Sequence, residues 1–208
     1  MLSVATLDVT SPVQALERLS IGEPIQQARV PGLLDLDPLV VSRWMCGEDL
    51  SGVYQPIVLD HCVLDGLDLE GRTFYEMVEM IGCRVTAAHF RQAYFYASLL
   101  IEDCVFDGDF EGRDIQSDGR VVIHNTVFAG YANFEGIRLR NRISLLDISF
   151  PGGTNLLRTL VRGSRERLGR EILLNGCRFR AADVPACLET ARLGLAPPIE
   201  DHPGGAER

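Results

Sequence analysis

The sequence predicts an all-β solenoid, a chain wound into stacked four-sided coils and closed by short helices. Two observations predict it. The first is a period of 21 to 22 residues: Cys62, Cys83 and Cys104 are 21 apart, and Thr126 and Ile148 follow in the same slot at steps of 22. A late copy, Gly176-Cys177-Arg178-Phe179, closes the series. Self-similarity at such a period marks a repeat architecture, in which a unit buries its apolar face only against its neighbours. The second is a finer step of five. Apolar residues fall at Leu59, Leu64, Leu69 and Phe74, at Val85, Phe90, Phe95 and Leu100, at Phe106, Phe110 and Ile115, and at Ile123, Phe128, Phe134 and Leu139. A small residue often sits two positions earlier, as Cys62, Cys83, Ala88, Ala93 and Ala132 do. Both slots of each side must then point inward, the second being narrow because four walls converge there. Stacked coils pair their backbones at the ordinary strand spacing of about 4.8 Å, so seven coils would give a rod on the order of 34 Å long.

The elements follow in order. Residues 1–31 hold a first helix and cap: Ser11 caps, Pro12 suits the first helical position, Val13, Leu16 and Leu19 share a face, and Gly22 ends it. Residues 32–150 hold the coils. Between residues 25 and 52 no piece is long enough for a free-standing strand pair. Residues 151–171 interrupt the pattern as an arginine-rich insertion, read as a helix on which Leu156, Leu160 and Leu168 pack. Residues 172–196 give the last coil, where Leu174, Phe179 and Val184 keep the five-residue step, and a closing helix from Pro185 to Leu193. Residues 197–208 are expected to be disordered. Helical caps are needed because an open rung exposes core and unpaired backbone.

Composition narrows the function classes. The chain has 208 residues, 46% of them hydrophobic, so a packed core is feasible. Its net charge is −9 and all 20 basic residues are arginine. That balance disfavours direct nucleic-acid binding and adhesion to an anionic membrane, and suits basic partners. No signal-peptide pattern and no long apolar run occur, so a cytoplasmic protein without a membrane span is expected. The six cysteines then read as reduced core thiols.

The five-residue pattern resembles the pentapeptide-repeat family, whose units run roughly Ala-(Asp/Asn)-Leu-x-x. The best matches are Glu48-Asp49-Leu50-Ser51-Gly52, Leu67-Asp68-Leu69-Glu70-Gly71 and Ala132-Asn133-Phe134-Glu135-Gly136. The resemblance covers about residues 32–150 and 172–184. It departs at Arg72, which fills the narrow slot before Phe74, and at several six-residue steps. It implies a right-handed, four-sided parallel β-helix. Some relatives mimic DNA, bind DNA gyrase or topoisomerase IV and protect it from topoisomerase poisons, as homodimers joined near their C-termini.

Candidate sites follow. The stacked cysteines lack Cys-x-x-Cys pairs, and His61 should point the opposite way, so they read as core rather than as a metal or disulfide site. No nucleophile elbow and no His-Glu-x-x-His occurs, and the chain reads as a non-enzyme without cofactor. Aligning coils sets His89 between Asp68 and Asp109, an arrangement expected to raise its pKa. It also sets Glu70, Arg91 and Glu111 in an alternating ladder. Residues 48–118 carry 15 carboxylates against 4 arginines, a net −11. That is one charge per about 1.5 Å of axis, near the about 1.7 Å of duplex DNA. The expected binding residues are therefore Asp65, Asp68, Glu70, Asp107, Asp109, Glu111 and Asp114. In the insertion they are Arg158, Arg162, Arg165 and Arg167, which could grip phosphate or an acidic surface, or simply face water on a solvated helix. The alternative reading is a structural or scaffold β-helix that holds other proteins or self-assembles.

Overall fold

In the computed structural model, residues 7–45, 48–162, 172–185 and 195–199 are described. The chain forms a β-solenoid of about six turns. Among the described residues all strand pairs but one are parallel, with partners 21 or 22 residues apart along most of the rod. The first face stacks Ile25–Gln26, Ile57–Asp60, Val78–Ile81, Leu99–Glu102, Val121–His124, Ile143–Leu146 and Ile172–Asn175. The second face begins with Asp8–Val9 paired on the start of Ala28–Asp35, and the second and third faces then run together as the single bent strands Ala28–Asp35, Val63–Asp68 and Arg84–His89. They then separate into Val105–Phe106 with Phe110–Glu111, and Val127–Phe128 with Ala132–Asn133. The fourth face stacks Thr73–Phe74, Tyr94–Phe95, Gln116–Ser117 and Arg138–Leu139.

The inward slots are as the five-residue step requires. Cys62, Cys83, Cys104, Thr126, Ile148 and Cys177 are all buried, and so are the large residues two places on. Phe106, Phe128, Phe150 and Phe179 form one continuous stack, with ring centroids 4.9, 5.1 and 5.1 Å apart. Burying such rings is favourable, because each removes apolar area from water at roughly 25 cal/mol per Å². The slots also exchange sizes within a turn. Ala88 and Phe90 of one turn align with Phe110 and Gly112 of the next. Gly112 is small because a Cβ there would lie 2.5 Å from the Phe110 ring.

Two corners are set by the left-handed backbone region. His61, Gly82, Asp103, Asn125, Asp147 and Gly176 all have positive φ, and each directly precedes a residue of the cysteine column. Gly71, Gln92, Asp114 and Gly136 do the same at the corner before the fourth face. Gly, Asn, Asp and His tolerate this region best, which accounts for most of the residues found there.

Several expectations need correction. The first rung begins at Ile25, ahead of residue 32. Residues 25–52 do contain a strand pair, the antiparallel hairpin Val41–Met45 with Glu48–Gly52, so the repeat-like Glu48–Gly52 is an arm and not a wall of the coil. The first helix, α1 (Pro12–Ser20), has the expected Ser11 cap, with Gln14 completing a capping box. Its buried residues are Ala15 and Leu19, while Val13 is exposed. The turn before the interruption continues through Thr154, which bridges Ala132, so the interruption starts after it and not at Pro151. The second helix, α2 (Leu156–Arg162), then leaves the coil, with Leu156 buried and Leu160 packed on the core. Leu168 and the expected closing helix beyond Pro185 lie outside the described residues. The tail is held as far as Ile199, whose N–H donates to the Phe179 carbonyl at 2.9 Å.

The hairpin and α2 leave at the same corner, between the third and fourth faces. The fourth face resumes at Val53 after the hairpin, whereas after Thr154 the chain enters α2.

Candidate functional site

The acidic candidates fall at four places on the outer surface. Asp65, Asp107 and Asp109 lie at the bend between the second and third faces. Asp65 accepts from the Gly32 N–H at 3.1 Å and faces Arg29 at 3.9 Å. Asp107 takes a two-pronged contact from Arg84, at 2.6 and 2.8 Å. Asp109 accepts from the Tyr131 N–H at 2.8 Å. The third-face column runs Asp35, Asp68, His89, Glu111 and Asn133. His89 is thus flanked by Asp68 and Glu111, not by Asp109. The shift arises because Phe106 and Phe110 are one residue further apart than Val85 and Ala88, so the extra residue sits before Asp109. The same residue moves the neighbouring ladder. Arg91 meets Glu70 at 2.9 Å, and its partner on the next rung is Arg113 rather than Glu111. Asp114 sits at a positive-φ corner with Arg113 at 3.5 Å. An aspartate there serves the turn as well as the surface.

Arg72 is the departure from the repeat with the clearest structural role. Its mostly buried guanidinium bonds Asp35 at 2.5 Å, Asp68 at 3.0 Å and the Glu70 carbonyl at 2.6 Å. Its Nε has no hydrogen-bond partner. One arginine therefore holds the carboxylates of two successive rungs together, at a place where they would otherwise repel.

Arg158 lies exposed on α2 and donates to the Ala182 carbonyl at 3.3 Å. Arg162 ends that helix. Arg165 and Arg167 lie outside the described residues.

The cysteine column belongs to the core, and thiol contacts with Cys83 lower the pKa values of Cys62 and Cys104. Cys62, Cys83, Cys104 and Cys177 are free and buried, and each thiol donates to a carbonyl of its own turn or the preceding one. Thiol contacts with Cys104 and Cys62, and then burial, push the Cys83 pKa well above its usual value. Burial raises that of Cys177. Among the described residues no cluster of three His, Cys, Asp or Glu could hold a metal, and no helix is long and apolar enough to cross a membrane.

Sequence reasoning missed an aromatic strip. Tyr54 and Tyr75 stack at 4.4 Å, and Tyr75 meets Tyr96 at 5.7 Å. Arg43 of the hairpin lies 4.3 Å over the Tyr54 ring, and the neighbouring Trp44 is 75% exposed. The spacing of these three tyrosines, 21 residues each, was the available signal. The hairpin left none, because Glu48–Gly52 imitates a repeat.

Comparison of the chain with protein-family models, with curated proteins and with solved structures finds no match.

Proposed function

We propose that this protein is a non-enzymatic binding module whose acidic rod occupies the DNA-binding surface of a type II topoisomerase, DNA gyrase or topoisomerase IV, in the manner that its resemblance to pentapeptide-repeat proteins implies. The supporting observation is negative charge on a stiff axis. The 21 residues from Gln92 to Gly112 carry Glu102, Asp103, Asp107, Asp109 and Glu111 with no Lys or Arg. Parallel pairing holds that turn at the strand spacing of about 4.8 Å from its neighbours. Preorganised carboxylates lose little entropy on meeting a basic surface, and electrostatic complementarity speeds the encounter. The reading includes action in the cytoplasm and a homodimer formed through the C-terminal region. It needs no cofactor and no direct nucleic-acid contact.

The test is inhibition of gyrase supercoiling by the purified protein. Changing Asp65, Asp68, Asp107, Asp109 and Asp114 to Asn and Glu111 to Gln should abolish it while the fold persists. A wild-type protein inert at micromolar concentration rejects the reading. A second reading, a scaffold that holds another protein, is favoured by the exposed Trp44 on its arm beside stacked tyrosines, the residue types that anchor interfaces.

A further inference from the structure

The first face carries apolar residues on both of its sides. In the strands from Ile57–Asp60 to Ile143–Leu146 the first and third residues are buried, and alternation turns the second and fourth outward. One outward column runs Val58, Glu79, Leu100, Val122, Ser144 and Leu173. The other runs Asp60, Ile81, Glu102, His124, Leu146 and Asn175. Half of these positions are apolar and none is arginine. Leu99-Leu100-Ile101 and Val121-Val122-Ile123 are thus continuous apolar runs, the pattern of parallel strands that are covered on both sides. The hairpin and α2 leave the coil at a corner that this face does not share.

These columns are self-complementary about one axis. A two-fold axis in the plane of the face, along the strand direction and midway between Leu99–Glu102 and Val121–His124, sets like columns of two copies against each other. At the centre Leu100 meets Val122 and Glu102 meets His124. One strand further out Ile81 meets Leu146 and Glu79 meets Ser144. On the outermost strands Val58 meets Leu173 and Asp60 meets Asn175. No carboxylate then faces a carboxylate, and no charge faces an apolar side chain. Ser144 is 3% exposed and lies between Val122 and Leu173, so the long Glu79 side chain meets the lowest point of the face. Within one chain Glu102 already holds His124 at 3.1 Å. The axis lays a second such pair over the first in the opposite sense, so carboxylates and imidazoles alternate around a square. Moving the axis onto Leu99–Glu102 would put Glu102 on its own copy and Asp60 on Leu146, so the pattern selects one register.

We propose that the first face is the interface of a two-fold dimer, with a second copy of this chain lying against it as an antiparallel rod. The contact uses the same patch on both copies and closes on itself. The six strands span about 24 Å by about 13 Å, a small area for a stable interface, so dissociation in the micromolar range is expected. The contact lies on a side of the rod and not at its end, and is therefore compatible with the C-terminal contact proposed above. The inference does not rest on topoisomerase binding, and a protein inert toward gyrase leaves it standing.

Sedimentation equilibrium at about 100 µM protein tests it. Leu100→Glu should weaken association at least tenfold, because symmetry buries the new charge twice, each time against Val122. Val122→Arg should do the same against Leu100. An equimolar mixture of the two variants should associate again, because the new acid of one chain faces the new base of the other while the second Leu100–Val122 contact stays native. Each single variant should be a monomer, or a dimer smaller than the wild-type assembly where the rod's C-terminal end also joins copies. Circular dichroism melts confirm that the variants are folded, and Leu100→Ser with Val122→Ser gives the same loss should a charged variant unfold. A wild type that is monomeric at this concentration overturns the proposal. So does an assembly whose mass Leu100→Glu leaves unchanged, which would be joined at the rod's end alone. Variants that lose association and do not regain it on mixing also overturn it, because the two-fold register then fails.

Discussion

The turns from Leu59 to Phe110 and those from Ile115 to Leu174 obey the same five-residue step but fill it differently. In the first group the inward residues are packed almost without exposure, and phenylalanines occupy the fourth-face column at Phe74 and Phe95, 5.3 Å apart. In the second group that column continues as Ser117 and Leu139. The Ser117 hydroxyl is satisfied by the Phe95 and Gly119 carbonyls, at 3.2 and 3.1 Å, but it does not replace a ring. A cavity of about 40 Å³ also lies mostly among the side chains of this group, lined by residues including Ile115, Val121, Leu139 and Leu160. Leu160 of α2 brings the second helix into the lining. The pattern of a solenoid thus sets its path, whereas the volume of each inward side chain sets how well the path is filled.

Substitutions can break or sharpen this contrast. Phe95→Ala removes a ring from the tight half and should cost about 3–5 kcal/mol in a urea titration. Gly112→Ala should cost about 1–3 kcal/mol, because the new methyl meets the Phe110 ring and the Asn133 carbonyl. A neutral result would show that the size exchange between slots has slack. Leu139→Phe should act in the opposite direction, raising stability by about 0.5–1 kcal/mol as the ring enters the cavity. A loss would mean that the space is too shallow for it.

The smallest effect concerns Tyr94, whose pKa burial and then the hydrogen bond to Asp118 raise to about 12. A raised folded value stabilises the protein fully below the unfolded tyrosine pKa of about 10, and that contribution is lost as pH rises from about 10 to 12. Absorbance titration of wild type against Tyr94→Phe should isolate this step.

Most of the path was legible because each wall needs one large and one small inward residue, and that requirement writes itself into the chain at Leu64, Val85 and Phe106. The positive-φ corners were visible too, in the His, Gly, Asp, Asn, Asp and Gly that precede the cysteine column, although their meaning came only with the backbone. The outer ladders were less legible. One residue added between Phe106 and Phe110 moved Glu111 beside His89, and counting fives does not say on which side of a phenylalanine an extra residue falls. The hairpin was hidden because Leu50 alternates with polar neighbours just as a repeat does. Arg72 looked like a flaw in the pattern, and only the approach of Asp35, 37 residues earlier in the chain, shows what it binds.

The bend between the second and third faces has one further consequence. Three successive turns carry the longer bend, and their glycines, Gly108, Gly130 and Gly152, lie directly over one another, each without room for a Cβ because of the backbone of the preceding turn. A turn lengthened there becomes the template for its neighbour. Single-residue insertions and deletions at this bend are therefore not independent events in the descent of the sequence. A change in one turn is accommodated when the adjacent turn changes with it, so drift in length should run along the rod in blocks and stop where a turn such as Arg84–His89 keeps the shorter bend.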